Sequence, residues 1–129
     1  MSDDVIWALD QRERCIACPS KPVANAVVLH LGADGALARE AVEQWARDGV
    51  MAASVAWPGA SVGLEDDDWL DLEDAVTGLA GLASVVAVVG DGDAAEVARM
   101  LAGRVGDVAH AGAADRADVL ARLREIAAV

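Results

Sequence analysis

Ser84 to Ala102, SVVAVVGDGDAAEVARMLA, is the stretch that decides the fold. Val85–Val89 is an unbroken run of Val and Ala, the composition of a strand covered on both faces. Gly90-Asp91-Gly92-Asp93 follows, a turn of residues that accept tight or left-handed backbone. Val97, Ala98 and Leu101 then recur at helical spacing, with Asp93 placed to cap a helix running to about Ala102. A strand that turns sharply into a helix is the repeating unit of α/β proteins, and ligands gather where such strands end.

The same alternation extends outward in both directions. Upstream, Ala26–Leu31 (AVVLHL) is another continuous apolar run, and Gly32-Ala33-Asp34-Gly35 turns it into a helix from about Ala36 to Asp48. Leu37, Val42, Trp45 and Ala46 form the inward stripe of that helix, Glu43 and Arg47 pair outside, and Gly49 suits the left-handed position after it. Val50–Trp57 is the next strand, stopped by Pro58-Gly59. Ala60–Asp68 reads as a loop whose acids favour the start of a helix from about Trp69 to Leu82. Downstream, Asp107–His110 reads as a short strand. The helix expected over Ala114–Ala128 has Val119, Leu120, Leu123 and Ile126 inward and an Asp118/Arg122 pair outward. Before all of this, Val5–Cys18 reads as two short strands around a polar turn, Asp10–Glu13. The expected fold is α/β, a three-layer sandwich with a mostly parallel sheet, preceded by a short N-terminal β-hairpin and forming one domain over residues 1–129.

Composition narrows the partners. The chain has 129 residues, is 55% hydrophobic, and carries a formal net charge of -12 with Lys21 as its single lysine. A surface of that sign repels nucleic acid and anionic membranes. Met1-Ser2-Asp3-Asp4 is not a basic leader, and the longest uncharged stretch, Ala75–Gly90, is too short to span a bilayer. These features predict a cytoplasmic protein with a small molecule or another protein as partner.

The order hairpin, strand, helix, strand, Pro-Gly loop, helix, strand, sharp turn, helix resembles the first half of an α/β-hydrolase, in its dienelactone hydrolase-like branch. Val27–His30 looks like that family's strand leading into the oxyanion loop. Glu43–Val50 and Ala53–Gly59 look like its helix and following strand, and Val88–Ala95 (VVGDGDAA) looks like its nucleophile elbow, G-x-S-x-G. The resemblance implies an ester or lactone hydrolase, but Gly92 stands at the nucleophile position and offers no Oγ or Sγ for acyl transfer. Leu31 follows His30 where the branch carries an acid, and the later strands that bring the triad acid and histidine are missing. His110 is the one late histidine, and a base without a nucleophile has little to activate. The resemblance is therefore to a truncated, degenerate member.

Two further likenesses are thinner. Leu31–Arg39 (LGADGALAR) looks like the first turn of a short-chain dehydrogenase, with Ala36 and Ala38 in place of two glycines and no tyrosine anywhere for that family's chemistry. Asp91-Gly92-Asp93 looks like the D-x-D of a topoisomerase-primase (Toprim) domain, which implies Mg²⁺ held by Asp91 and Asp93 and a phosphate-handling enzyme. That family also needs a strand-end glutamate, for which Asp34 is the nearest acid.

The candidate ligand-binding residues are His30, Gly32 and Asp34 on one turn and Gly90, Asp91, Gly92 and Asp93 on the other. No catalytic residue and no cofactor are assigned; Mg²⁺ belongs to the Toprim-like reading alone. Cys15 and Cys18 form a C-x-x-C placed on a strand, where the two side chains point to opposite faces. With His30 and His110 they would complete a two-Cys, two-His zinc set, against a default of structural thiols. Trp57 and Trp69 flank the acidic loop as the expected exposed aromatics, and Trp7 lies on the hairpin, whose edge is open to strand pairing. The leading reading is a non-catalytic α/β-hydrolase-like domain, a pseudoenzyme, that binds a small molecule or protein at the carboxyl edge of its sheet. The alternatives are the Mg²⁺-dependent phosphate-handling enzyme and a small ester or lactone hydrolase. A scaffold that uses the hairpin edge or the Trp57–Trp69 loop for partners, a second copy of itself included, completes the set.

Overall fold

The computed structural model describes residues 4–6, 15–31, 35–55, 66–106 and 108–128. Ten elements follow one another: β1 (Asp4–Ile6), β2 (Cys15–Cys18), β3 (Ala26–Leu31), α1 (Gly35–Arg47), β4 (Met51–Val55), α2 (Asp66–Ala80), β5 (Val85–Gly90), α3 (Ala94–Val105), β6 (His110–Ala113) and α4 (Arg116–Ala127). The strands form a single sheet in the order β1-β2-β4-β3-β5-β6. β1 and β2 pair antiparallel, and β2 joins the sheet antiparallel to β4. The remaining neighbours are parallel: β3 with β4, β3 with β5, and β5 with β6. The expected architecture is the observed one, with the opening hairpin built into the sheet's edge. The turn expected at Asp10–Glu13 lies outside the described residues.

Two cores sandwich the sheet. Val27, Leu29, Leu31, Val86 and Val88 point to one face, where Leu72, Val76 and Leu79 of α2 and Val97 and Leu101 of α3 cover them. Val28, Ala52, Ala87 and Val89 point to the other, under Val42 and Trp45 of α1 and Val119 and Leu123 of α4. Both faces of β3 and β5 are therefore dry, which is why these strands read as continuous apolar runs instead of alternating ones. β3 and β5 are central neighbours, yet the helices that follow them, α1 and α3, lie on opposite faces. In open α/β sheets such a reversal marks the carboxyl ends of the central strands as the usual place for a ligand.

Local differences from the expected elements have identifiable causes. α2 begins at Asp66, so Asp66 and Asp67 sit inside its first turn, where they complement the helix dipole. Trp69 is buried (7% exposed) instead of displayed beside the loop, and Arg104 of α3 lies over its ring at 4.9 Å while bonding Glu73. α3 continues past Ala102 to Val105, where Gly106, at φ +81°, donates its N–H to the Ala102 carbonyl and ends the helix. The last strand is His110–Ala113 rather than residues 107–110. Ala109 N–H bonds Val86 O, and this sets the ladder that runs on to Gly90↔Ala113. Its small residues, His-Ala-Gly-Ala, carry no hydrophobic period to announce it. On α4, Ile126 is 44% exposed instead of inward, and Arg122 pairs with Glu125 (3.8 Å). The Glu43–Arg47 pair forms as expected at 3.6 Å, and Gly49 sits at φ +95°. Among the described residues no helix is long and apolar enough to cross a membrane.

Candidate functional site

The β5–α3 turn stands at the carboxyl end of the central strand β5. Gly90 ends β5 so close to α3 that a Cβ there would stand 2.3 Å from the carbonyl carbon and oxygen of Ala94 and 2.7 Å from Ala95 N. Only glycine fits. Gly92 stands at the apex with φ +54°, the left-handed region, and a Cβ on it would meet nothing within 4 Å. The backbone then closes into α3 through Ala94 N–H to Asp91 O (3.0 Å), Ala95 N–H to Gly92 O (3.1 Å) and Glu96 N–H to Asp93 O (3.2 Å). Asp93 precedes the helix in an αR conformation with no side-chain cap bond, so the expected capping role is not realised. Asp93 is exposed, and the first N–H groups of the helix are taken by carbonyls.

Asp91 is held from below. Its Oδ2 lies 2.7 Å from His30 Nε2, and Asp91 N–H donates to Leu31 O at 3.2 Å, so the turn is tied to the end of β3 twice. His30 is buried at 6% exposure, whereas the Asp91 side chain is 55% exposed. Trp45 of α1 donates its indole Nε1–H to His30 Nδ1 at 3.0 Å. An indole nitrogen can only donate, so Nδ1 must be an acceptor and the ring proton sits on Nε2, donating to Asp91. The column Trp45–His30–Asp91 thus fixes one tautomer and orients one carboxylate at the carboxyl end of β5.

One polar group near the column is unmatched. Ser54 on β4 is the register partner of His30 and is 1% exposed, and its Oγ has no hydrogen-bond partner among the described residues. Strand alternation places its side chain on the α1 side of the sheet, with Ala52 and His30. Among the described residues no acyl-transfer triad is assembled: Gly92 at the apex of the turn has no side chain, and both nitrogens of His30 are engaged.

Of the seven candidate residues, the structure brings together His30, Gly90, Asp91, Gly92 and Asp93; Gly32 and Asp34 lie outside the described residues, as do Trp7, Trp57 and the Ala60–Glu65 part of the loop. The zinc set does not assemble. Cys18 on β2 and His110 on β6 are separated by three intervening strands, about 19 Å at the usual strand spacing. Among the described residues no group of three His, Cys, Asp or Glu is placed to hold a metal ion. Trp45 and Ser54 are the members that sequence reasoning missed. Trp45 sits on the expected helical stripe, but its contact with His30 exists only once α1 is laid across β3.

Two cavities among the described residues lie away from this turn. One of about 460 Å³ opens at the amino edge of the sheet among Cys18, Pro22, Asn25, Met51 and Leu82. Another of about 230 Å³ lies beneath α2, lined by Ile16, Leu29, Ala53, Ser54 and Leu79.

No family model matches the chain, and no curated protein matches it. Solved structures do. A hyperthermophilic esterase from the archaeon Pyrobaculum calidifontis superposes with a TM-score of 0.52 at 19% identity, over 81% of this chain and 41% of that one. An arylesterase superposes with a TM-score of 0.55 at 12% identity, over 84% of this chain and 42% of that one. The chain spans about two-fifths of the length of these esterases. The likeness is one of fold alone.

Proposed function

We propose that this chain is a non-catalytic α/β-hydrolase-like domain that binds a small molecule or a protein partner at the carboxyl edge, between His30 and Gly90–Asp93. The observation that carries the reading is Gly92: the elbow keeps its close glycine, its left-handed apex and its helix, but the apex has no atom able to attack a carbonyl. His30 adds to it. Its Nε2 proton is committed to Asp91 and its Nδ1 lone pair to Trp45, so it has no nitrogen left to serve as a general base. What remains is an oriented carboxylate at the carboxyl ends of two neighbouring strands whose following helices lie on opposite faces, the place where ligands bind in open α/β sheets. Within the hydrolase fold the reading keeps the dienelactone hydrolase-like branch, on Val27–His30 and Val88–Ala95, and a cytoplasmic setting.

A ¹⁵N-labelled sample titrated with a library of small polar molecules tests the reading. Binding is expected to shift the amides of His30, Leu31 and Gly90 to Asp93. Shifts confined to the amino-edge cavity around Asn25, Met51 and Leu82 would place binding elsewhere and refute it.

A further inference from the structure

Beneath the second half of α2 the fold leaves a space that its own side chains do not fill. The cavity of about 230 Å³ is bounded by buried apolar residues, Leu29 and Ala53 of the sheet and Ala75 and Leu79 of α2. Three residues of its lining are exposed: Asp74, Gly78 and Leu82. They recur at intervals of four along one ridge of α2 and the turn after it, and so form the mouth. Gly78 has no packing reason to be glycine. A Cβ there would meet nothing within 4 Å, and glycine inside a helix weakens it relative to alanine. Its missing side chain leaves the mouth open. The mouth is also negative. Asp74 has no ion-pair partner among the described residues, whereas the neighbouring Glu73 is held by Arg104. The last turn of α2, which includes Gly78, carries no basic side chain to offset the negative end of the helix dipole.

We infer that this cavity is a second binding site, for a small amine with an apolar body. The body lies against Leu29, Ala53, Ala75 and Leu79, and the ammonium stays at the mouth beside the Asp74 carboxylate. An apolar cavity of about 150 Å³ takes benzene. One half as large again suits a phenyl ring with a two-carbon amine tail. A carboxylate on the same body would meet like charge at the mouth. The site lies on the α2 face of the sheet, away from the His30–Asp91 turn, so it does not depend on what binds at the carboxyl edge.

The test titrates ¹⁵N-labelled protein with phenethylamine, 2-phenylethanol and 3-phenylpropanoate, one body with a cationic, a neutral and an anionic end. Phenethylamine should give saturable shifts at the amides of Ala53, Ala75, Gly78 and Leu79. 3-Phenylpropanoate should bind at least about tenfold more weakly, because attraction at the mouth becomes repulsion. Asp74→Asn should weaken phenethylamine about fivefold, the upper end for one exposed ion pair, and leave 2-phenylethanol unchanged. Gly78→Leu adds a side chain that leans toward the helix N-terminus, across the mouth, and should abolish binding of all three. Both substitutions fall at exposed helical positions, and residue 78 has room for a Cβ, so the variants keep the fold. No saturable shift at these amides, equal affinity for the amine and the carboxylate, or affinity for the amine undiminished in either variant would overturn the inference.

Discussion

Replacing Gly90 by Ala should be among the most damaging single changes available to this chain, and replacing Gly92 by Ala among the mildest at the same turn. A Cβ on residue 90 would stand 2.3 Å from the carbonyl carbon and oxygen of Ala94. Those are backbone atoms in the first turn of α3, and the side chains behind them, Ala94, Val97 and Ala98, are buried in the core. Relief requires moving the helix, so the cost sits at or above the top of the usual overpacking range, about 3 kcal/mol. For a domain of this size that corresponds to a fall in Tm of roughly 10 °C. At residue 92 the added methyl meets nothing within 4 Å, and the φ of +54° alone opposes it. That penalty is about 1 kcal/mol and is partly offset by the stiffer unfolded chain. Urea and thermal unfolding followed by circular dichroism, on both variants beside the parent, measure the contrast. Equal losses for the two, or a Gly90→Ala protein as stable as the parent, would refute the close approach of β5 and α3 on which the elbow assignment rests.

Two further outcomes follow from the site. Ser54→Ala removes a buried hydroxyl that has no partner among the described residues, so it should leave stability unchanged or raise it by about 1 kcal/mol. A loss of more than that in urea unfolding would mean that the hydroxyl is bonded in the ground state. Mg²⁺ or Mn²⁺ added during thermal unfolding should shift the parent and an Asp91→Asn/Asp93→Asn variant equally. A shift confined to the parent would revive the metal-dependent reading, since a specific ligand at a hundred times its dissociation constant adds about 2.7 kcal/mol.

Much of this architecture is legible because its central strands are covered on both faces. AVVLHL and VVAVVG can be nothing but buried strands at that length, and the helices between them carry stripes as clear as Val42–Trp45–Ala46 and Val97–Ala98–Leu101. The elbow is legible too, since Gly90 and Gly92 are demanded by close approach and by backbone hand, properties that a sequence displays directly. Elements without hydrophobic contrast are the ones that sequence reasoning misplaces. The His110–Ala113 strand is made of small residues and is located by its ladder to β5, a long-range fact. Trp69 reads as exposed because its acidic neighbours suggest a loop, and the helix that buries it begins three residues earlier. Inside the site, Asp91 and His30 are identifiable separately, as a turn acid and a strand-end histidine. Their bond, and the Trp45 and Ser54 that surround the ring, are tertiary juxtapositions of residues up to 61 apart in the chain, which no local pattern encodes.

The central claim is that an elbow with Gly92 at its apex binds without catalysing, and ester turnover tests it most directly. Purified protein and its His30→Ala variant would be incubated with p-nitrophenyl esters of short and medium acyl length, beside buffer alone. The account predicts release of p-nitrophenolate no faster for the parent than for the variant. Turnover in the parent that disappears in His30→Ala would contradict it, and would mean that a hydrolytic site survives at this edge with a nucleophile other than residue 92.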